Sequence, residues 1–443
     1  MRLKVDALKV LPFSTRSIYV VEQVLAHILL PFVMIILLLR SRKEPAHVKN
    51  LTHRIGLGRV QETGAVWIYA ASLGETRAAS PLIRRLREDG RKVLLTHQSP
   101  AGLTEGSRLF GDDVGVQQYY IPLDLFWAIR VFLTRFKPTI LIVLEIEIWP
   151  AMMIETARRS LPIVMANGNL LESSLLKSGW ARRHRNKLYL LFDHIFTRTE
   201  EYRSRYVRIG VAPSRITTAG ELKFEQRIDP IQLTMGQKLR GQMRGVERVL
   251  MIASSVEGEE PALLQMAKRL LASDPGLRIV WAPRSPQRFQ AVFDALDALQ
   301  IDVVKRSALG QKMEKPLPEA KVLLGDSLGE MNVFYSMADL VFVGASLVSH
   351  GGHNIVEPLD LGRPVVMGPS TYGVDFAAAP AATAGAFESL PDEKALEARI
   401  AYLLKDKPTL ARMSVAARKF TLNKTGATER TVSGLASFLG QSR

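Results

Sequence analysis

The chain carries the stretch VGASLVSHGGHNIVEP at residues 343–358, which leaves an apolar strand pattern, crosses a Gly-rich turn and enters a helical pattern near His353. A strand that ends in such a turn and feeds a helix exposes several backbone N–H groups, and these donors with the helix dipole suit a phosphate. Glu357, one turn into the helix, is placed to hydrogen-bond a ribose diol. The stretch predicts a phosphate site; the alternative is an ordinary strand–helix turn with a solvated Glu357.

Length and composition favour two domains and an anionic partner. A chain of 443 residues has two domains by default, and its hydrophobic content of 47% is enough for two cores. Cysteine is absent, which excludes a disulfide framework and a thiolate metal site. The net charge of +16 indicates nucleic acid, a membrane surface or an acidic substrate as the partner.

The N-terminal segment, residues 1–43, predicts a membrane anchor. Residues 18–39 are mostly apolar and long enough to span a bilayer. Three polar residues weaken the outer half of this run: Glu22, Gln23 and His27. Three basic residues follow the run at once: Arg40, Arg42 and Lys43. We expect the segment to span or lie on the membrane, with the basic flank keeping the following domains in the cytoplasm. A buried core helix is the alternative.

From residue 63 onward, apolar strand patterns alternate with helices. The strands fall at residues 66–70, 92–96, 139–144 and 162–166, and, after a polar stretch at 225–242, at 246–253, 277–281, 321–324, 339–343 and 364–367. Continuous apolar strands separated by helices indicate parallel sheets covered on both faces. The sequence predicts two doubly wound, Rossmann-like α/β domains, 44–234 and 235–443. Their ligands should lie outside the carboxyl ends of the strands, in a cleft.

The stretch at residues 344–357 resembles the donor-site motif of the bacterial 3-deoxy-D-manno-octulosonic acid (Kdo) transferases of lipopolysaccharide assembly. That motif reads roughly GGSLvxxGGHNxxE. Further segments resemble the family in the same order, from about residue 70 to residue 360. The resemblance implies a GT-B glycosyltransferase whose first domain binds the acceptor and whose second domain binds the nucleotide sugar.

Two strand ends in the first domain carry acidic residues. ASLGE at residues 71–75 resembles the family segment SxGE, which makes Glu75 the catalytic base by resemblance. A carboxylate beside a helix N-terminus should favour its charged form; a capping role for Glu75 is the alternative. LEIEIWP at residues 144–150 resembles METELWPN, and the resemblance gives Glu145 a part in stabilising the transition state. Capping of the helix that begins near residue 150 is the alternative for these acids.

Other segments extend the resemblance to the donor. GELKF at residues 220–224 resembles GSLKFD, so Lys223 would help to neutralise charge on the donor. Arg284, in a segment resembling PRHPER, is placed at a strand end where it suits a phosphate. The resemblance implies contacts to the nucleotide from a set of strand-end residues: Pro283, Arg284, Leu328, Gly329, Glu330, Gly351, Gly352, His353, Asn354, Ile355, Val356 and Glu357. Taken singly, each of these segments also fits helix capping or surface charge.

The chain departs from the family motifs at four positions: Ala151, Asn169, Val256 and Ser285. The segment ANGNL at residues 166–170 resembles the family's NARLS, but Asn169 stands in the place of the Arg. Because an Arg binds anions in a bidentate manner and an Asn does not, this departure puts a contact to an anionic group in doubt.

A basic helix is predicted at residues 175–192, with no acidic residue between Glu172 and Asp193. Its cations should contact anionic headgroups or the phosphates of a glycolipid: Lys177, Arg182, Arg183 and Arg185. A solvated helix face is the alternative. Nucleic acid is not expected, because no nucleic-acid motif accompanies the charge.

The resemblance implies an inverting transferase that moves Kdo from CMP-Kdo to a lipid A precursor at the inner membrane, with its catalytic domains facing the cytoplasm. Neither a cofactor nor a metal is expected, and His350 with His353 in the Gly-rich turn is a weak candidate for a metal pair. Two alternatives stay open: a transferase of the same fold that uses another nucleotide sugar, and a non-catalytic paralogue that binds glycolipid.

Overall fold

The computed structural model describes residues 13–41, 50–145, 147–172, 175, 184–311 and 313–440. They divide into two compact units: the described residues of Met1–Gln226 and Thr425–Arg443 form the first, and those of Arg227–Lys424 form the second. This division differs from the predicted domains 44–234 and 235–443. The observed boundary lies earlier in the chain, and the C-terminal segment belongs to the first unit.

The first unit is built on a parallel sheet that has seven strands among its described residues. In space the strands run in the order 3-2-1-4-5-6-7: β1 (Val66–Tyr69), β2 (Val93–His97), β3 (Val116–Tyr120), β4 (Ile140–Leu144), β5 (Ile163–Gly168), β6 (His194–Thr197) and β7 (Ile216–Thr218). The described helices are α1 (Phe13–Ser41), α2 (Leu73–Glu88), α3 (Pro100–Phe110), α4 (Phe126–Phe136), α5 (Pro150–Arg158) and α6 (Glu200–Arg208). The central strands are buried along their whole length because helices cover both faces.

The second unit repeats this architecture. Its described strands run in the order 10-11-9-8-12-13-14: β8 (Arg248–Ser255), β9 (Leu277–Pro283), β10 (Val303–Lys305), β11 (Val322–Leu324), β12 (Leu340–Val343), β13 (Val365–Met367) and β14 (Phe387–Ser389). The helices are α7 (Pro230–Gln242), α8 (Glu260–Ser273), α9 (Pro286–Ala298), α10 (Met331–Met337), α11 (Val356–Asp360), α12 (Asp375–Thr383), α13 (Glu393–Lys405) and α14 (Lys407–Leu422). The prediction of two doubly wound α/β units is confirmed.

Two helices were not recognised in the sequence pattern. α7 lies in the polar stretch at residues 225–242. Pro230 occupies its first turn, and Gly236 lies so close to α10 that a Cβ would come 2.3 Å from the carbonyl oxygen of Val333. The last helix, α15 (Ala427–Leu439), returns to the first unit, where the Glu225 carboxylate accepts a hydrogen bond from the Ala427 N–H at 2.5 Å.

α1 is docked on the first unit along one stripe of its N-terminal half. The Tyr19 hydroxyl donates to the carbonyl of His184 at 2.9 Å. The Gln23 side chain donates to the carbonyl of Asp124 at 2.8 Å and accepts from the Phe126 N–H at 2.9 Å. The sequence suggested that Gln23 only weakens an anchor, whereas it is a docking residue.

The remaining face of α1 is apolar and exposed. Ten of its large hydrophobic side chains are 48% to 61% exposed: Val20, Val21, Val24, Leu25, Ile28, Leu29, Phe32, Ile35, Ile36 and Leu39. Across the described part of the chain, no helix combines the length and the apolar character that crossing a membrane requires.

Candidate active site

Glu75 lies in the first turn of α2, at the carboxyl end of β1. Ser72 is the N-cap residue, and its hydroxyl accepts a hydrogen bond from the Glu75 N–H at 3.3 Å. The Glu75 carboxylate in turn accepts from the Ala71 N–H at 2.6 Å. This is a variant of the capping box, which satisfies the free N–H groups at a helix start. Glu75 therefore has the capping contacts that were the alternative to catalysis, and it is fixed in place by them.

Glu145 follows β4 directly and holds a left-handed backbone conformation, with φ of 60°. Its side chain is 16% exposed and faces two cations: Arg198 Nη2 lies 2.5 Å from Oε1, and Lys223 Nζ lies 3.0 Å from the same oxygen. Asn169 Nδ2 donates to Oε2 at 3.3 Å. The structure therefore brings Glu145 and Lys223 together, whereas their roles in transfer stay predictions.

Arg198, which the sequence reasoning missed, lies directly after β6 and is almost fully buried. Besides Glu145 it contacts Glu221, with Nε 2.9 Å from Oε2. Glu221 also accepts from Asn167 Nδ2 at 2.8 Å. A charged residue immediately after an apolar strand was the signal that pointed to Glu145, and the same signal would have found Arg198. We call Glu145, Arg198, Glu221 and Lys223 the buried charge cluster.

The two candidate catalytic carboxyl groups have opposite electrostatics. Burial and the nearby charge of Glu145 raise the pKa of Glu75 to about 8, despite its hydrogen bond from Ala71. For Glu145, burial alone would raise the pKa, but Arg198 and Lys223 outweigh it and lower the pKa to about 2. The expectation that the helix N-terminus keeps Glu75 charged is wrong, because desolvation and a neighbouring anion are stronger than the helix dipole.

The acids that follow β4 do not cap α5. The N-cap of that helix is Trp149, which makes no side-chain cap; instead the Asp124 carboxylate accepts from the N–H groups of Ala151 at 3.1 Å and Met152 at 2.9 Å. Glu147 stays near the surface, and burial raises its pKa. Because residue 151 contacts Asp124 through its backbone N–H, this contact does not depend on the side chain, and the departure from the family motif at Ala151 leaves it in place.

In the second unit, the first N–H groups of the turn after β12 are already occupied. The buried Glu259 carboxylate accepts hydrogen bonds from Ala345 at 2.6 Å and from Ser346 and Leu347 at 3.2 Å each. An internal anion therefore fills the nest of N–H groups after β12. These three donors are not available to a phosphate, since each has an acceptor within the chain; the predicted donor contacts lie further along the turn, at residues 351–357.

The helix that follows begins later than predicted. α11 starts at Val356 rather than near His353 and has only five residues, so it provides little dipole. The Asn354 side chain accepts from the Val356 N–H at 3.0 Å and donates to the Glu357 carboxylate at 3.1 Å. Gly351 and Gly352 have φ of 83° and 75°, a left-handed conformation that favours glycine.

The other predicted donor residues lie at the carboxyl end of the second sheet. Pro283 ends β9 and the exposed Arg284 follows it. His353 Nε2 is buried without a hydrogen-bond partner among the described residues, and burial followed by the charge of Arg284 lowers the pKa of His353 to about 4. A buried imidazole nitrogen without a partner calls for an explanation, and its place beside an exposed Arg keeps His353 and Arg284 as the predicted donor contacts.

The loop before α10 and the strand-end residues after the Gly-rich turn complete this region. Leu328 is 70% exposed, and Gly329 has φ of 80°. The Glu330 carboxylate is held by Arg306 at 2.6 Å and by the Ser327 hydroxyl, so it supports the loop from within. Ile355 and Val356 are buried and contribute to the core rather than to an open surface.

Comparison with known proteins agrees with this arrangement. A family model described as 3-deoxy-D-manno-octulosonic-acid transferase (kdotransferase) matches residues 49–226, and one described as glycosyl transferases group 1 matches residues 311–420. The chain is 35% identical over 381 residues to a 3-deoxy-D-manno-octulosonic acid transferase of Bordetella pertussis, which covers 85% of this chain and 87% of that protein. The chain belongs to the Kdo transferase family. It is therefore a glycosyltransferase, as predicted.

Two further similarities support the family and the fold. A 3-deoxy-D-manno-octulosonic acid transferase of Haemophilus influenzae is 30% identical over 415 residues, which cover 92% of this chain and 96% of that protein. A solved UDP-GlcNAc 2-epimerase from Neisseria meningitidis has a TM-score of 0.58 at 14% identity and covers 84% of this chain and 99% of that chain. The second likeness shows the fold alone.

The basic segment of this Kdo transferase family member is only partly described. The predicted lipid-contacting residues Lys177, Arg182 and Arg183 lie outside the described residues. Arg185 is exposed, and one of its guanidinium nitrogens donates to the carbonyl of Ile148 at 3.1 Å. Arg185 thus already makes a hydrogen bond to the loop after β4, and its contact to lipid stays a prediction.

Proposed function

We propose that this protein transfers Kdo from CMP-Kdo to a hydroxyl of a lipid A precursor at the cytoplasmic face of the inner membrane. One observation carries the proposal: Glu75, whose pKa is raised to about 8, lies beside Glu145, which two cations hold as an anion. Two carboxyl groups in one site with pKa values driven apart are the arrangement expected for an acid–base centre. A base with a pKa near the working pH accepts a proton and gives it up with equal ease.

In the proposed step, the acceptor hydroxyl gives its proton to Glu75 as its oxygen forms a bond to the anomeric carbon of Kdo. The bond from that carbon to the phosphate oxygen of CMP breaks, and CMP leaves with the electron pair. Attack from the face opposite CMP inverts the anomeric centre. The Lys223 ammonium, already beside Glu145, supplies positive charge that offsets the charge developing on the leaving phosphate.

The donor nucleotide is assigned to the second unit, with Arg284 and the free nitrogen of His353 as its polar contacts. Glu259 fills the nest at residues 345–347, and the N–H groups of Gly351 and Gly352 donate to the Ser370 hydroxyl at 2.9 Å and to the Ala345 carbonyl at 3.0 Å. The phosphate is therefore assigned to Arg284. No metal enters this scheme, and metal independence stays a prediction that an EDTA titration of the transfer rate tests.

Membrane attachment is proposed through the exposed apolar face of α1, with the basic segment around residues 177–185 adding contacts to anionic headgroups. The opposite stripe of α1 is docked on the first unit, which is expected to bind the acceptor, through Thr15, Tyr19 and Gln23. A lipid acceptor held in the membrane would therefore be presented to the unit that carries Glu75.

The test is to replace Glu75 by Gln and to measure Kdo transfer and CMP binding separately. Transfer should fall by about 10²- to 10⁴-fold, because general-base catalysis is lost. CMP should still raise the melting temperature, since its contacts are assigned to the second unit; saturation at about 100 times Kd corresponds to about 2.7 kcal/mol. Glu201→Gln, at an exposed Glu of the same unit, is the matched control.

Two results would redirect the assignment. Stabilisation by UMP or UDP instead of CMP would favour a transferase for another nucleotide sugar. Binding of a lipid A precursor by the wild-type protein without transfer from CMP-Kdo would favour a glycolipid-binding paralogue, with the departures at Val256 and Ser285 as the first places to look.

A further inference from the structure

Asn169 and Arg198 contact the same carboxylate from two neighbouring strand ends. Asn169 follows β5 and donates to Glu145 Oε2 at 3.3 Å, while Arg198 follows β6 and lies 2.5 Å from Oε1. β5 and β6 are adjacent, with Met165 paired to Ile195 and Gly168 to Thr197, so residues 169 and 198 leave the sheet side by side. Both side chains therefore reach Glu145, Asn169 as a neutral amide and Arg198 as a cation.

We propose that Arg198 is a positioning residue that supplies Glu145 with a guanidinium group, and that an Arg at position 169 can take over this task in exchange. In this chain the cation comes from the end of β6, and the neutral amide comes from the end of β5. The inference rests on the proposed function for the meaning of Glu145 in transfer. The exchange of the cation between positions 169 and 198 does not depend on the proposed function, because it concerns only which side chain pairs with Glu145.

The balance of charges in the buried charge cluster supports this role of Arg198. The buried charge cluster has two carboxylates, Glu145 and Glu221, and two cations, Arg198 and Lys223; the Glu221 and Arg198 side chains are each 4% exposed. Buried charges are tolerated when they are paired, and loss of one partner leaves an uncompensated charge. Without Arg198, two buried carboxylates would share Lys223, and one of them would take up a proton. A planar guanidinium suits the task because it contacts both acids at once.

The buried charge cluster also affects the pKa of Glu75, the proposed base. Among the neighbouring anions, Glu145 raises the pKa of Glu75 most, so a protonated Glu145 would let that pKa fall. The charged and titratable groups that face these two acids are Glu147, Lys223 and Arg198, with Tyr69 beside Glu75 and Glu221 behind Arg198. Arg198 therefore acts on Glu75 through Glu145, at a distance from the proton that moves.

The experiment is an exchange cycle in the full chain: Arg198→Gln, Asn169→Arg and the double variant. Arg198→Gln should lower the melting temperature of the first unit by roughly 5 °C or more and reduce transfer by about 100-fold. The acid limb of its pH–rate profile should move to lower pH, and Glu145→Gln should move it in the same direction. Asn169 is only half-buried, so a longer side chain has room there, and the double variant should regain melting temperature, transfer and the position of the limb.

Three results would overturn the inference. A double variant as impaired as Arg198→Gln would show that position 169 cannot replace Arg198. An acid limb that stays at its wild-type pH in Arg198→Gln would make Arg198 a scaffold residue only. Equal losses in Arg203→Gln, a surface Arg paired with Glu200 in α6, would make the effect unspecific. If the wild-type protein transfers no Kdo, the proposed function fails, and recovery of the melting temperature in the double variant still decides the exchange.

Discussion

The Glu259 carboxylate accepts a hydrogen bond from the backbone N–H of Ala345 at 2.6 Å, and the same carboxylate accepts from the next two N–H groups of the chain. A side chain from the start of α8 thereby fixes the turn after β12 that leads to Gly351, Gly352 and His353. The sequence of this turn predicts a phosphate-binding loop, but the anion that its first N–H groups bind is the Glu259 carboxylate of the protein itself.

We expect Glu259→Gln to destabilise the second unit by about 2–5 kcal/mol. The amide can accept from fewer N–H groups than the carboxylate, and its own NH2 faces donors, so buried N–H groups are left unsatisfied at about 1–3 kcal/mol each. Chemical denaturation checks the loss, and the KM for the donor should rise because the turn is loosened. Glu257→Gln, whose side chain is 80% exposed, is the control and should leave both unchanged. Equal stability of both variants would show that the nest does not depend on this acid.

α1 offers two faces that can be altered separately. Ile28→Lys with Phe32→Lys changes side chains that are each 61% exposed, and we expect loss of binding to anionic vesicles with little change in melting temperature. Tyr19→Phe with Gln23→Ala removes the docking hydrogen bonds, and we expect a lower melting temperature with vesicle binding kept. Vesicle flotation and thermal melts check the pair.

Deletion of residues 1–43 is the stronger form of this test. Both α/β units should stay folded and the protein should leave the membrane fraction. If the truncated chain aggregates and cannot be refolded, α1 is part of the core and the anchor assignment is wrong.

The basic segment is tested in the truncated chain, where α1 no longer contributes. Charge reversal of Arg182 and Arg183 should weaken binding to anionic vesicles, since basic residues near such a surface contribute about 1 kcal/mol each. Arg215→Glu, elsewhere on the same unit, is the control for net charge. Unchanged vesicle affinity in the double charge reversal would make the segment an ordinary solvated face.

The elements that could be predicted from sequence are those with a local signal. Each predicted strand is present because a continuous apolar run is needed wherever helices cover both faces of a sheet. Glu75, Glu145 and Lys223 were found because they follow such runs or match a motif. α7 was missed because its contact face is Gly236 and Leu239 rather than an apolar stripe.

The sequence could not predict which charged residues of the site contact one another. Arg198 is as visible in the chain as Glu145, but their contact depends on the order of β4, β5 and β6 in the sheet. The Glu259 contact likewise joins residues 86 apart in sequence. The pKa of Glu75 was predicted in the wrong direction because the helix start is a local feature, whereas burial and the neighbouring Glu145 are not.

Replacement of Glu75 by Gln should make the protein more stable at alkaline pH while it lowers transfer by about 10²- to 10⁴-fold. The ordinary pKa of 4.5 is raised to about 8 in the folded chain, so the folded state prefers the protonated acid. Its contribution to stability is present below pH 4.5 and is lost as the pH rises towards 8, by at most about 1.4 kcal/mol per pH unit. Gln mimics the protonated form and does not titrate. The melting temperature of Glu75→Gln relative to wild type should therefore increase from pH 5 to pH 8.5, whereas wild-type transfer should rise over the same interval as the base form accumulates. A difference in melting temperature that is flat across this range would show that Glu75 is ionised throughout, and would remove the electrostatic basis for its role as a base tuned to neutral pH.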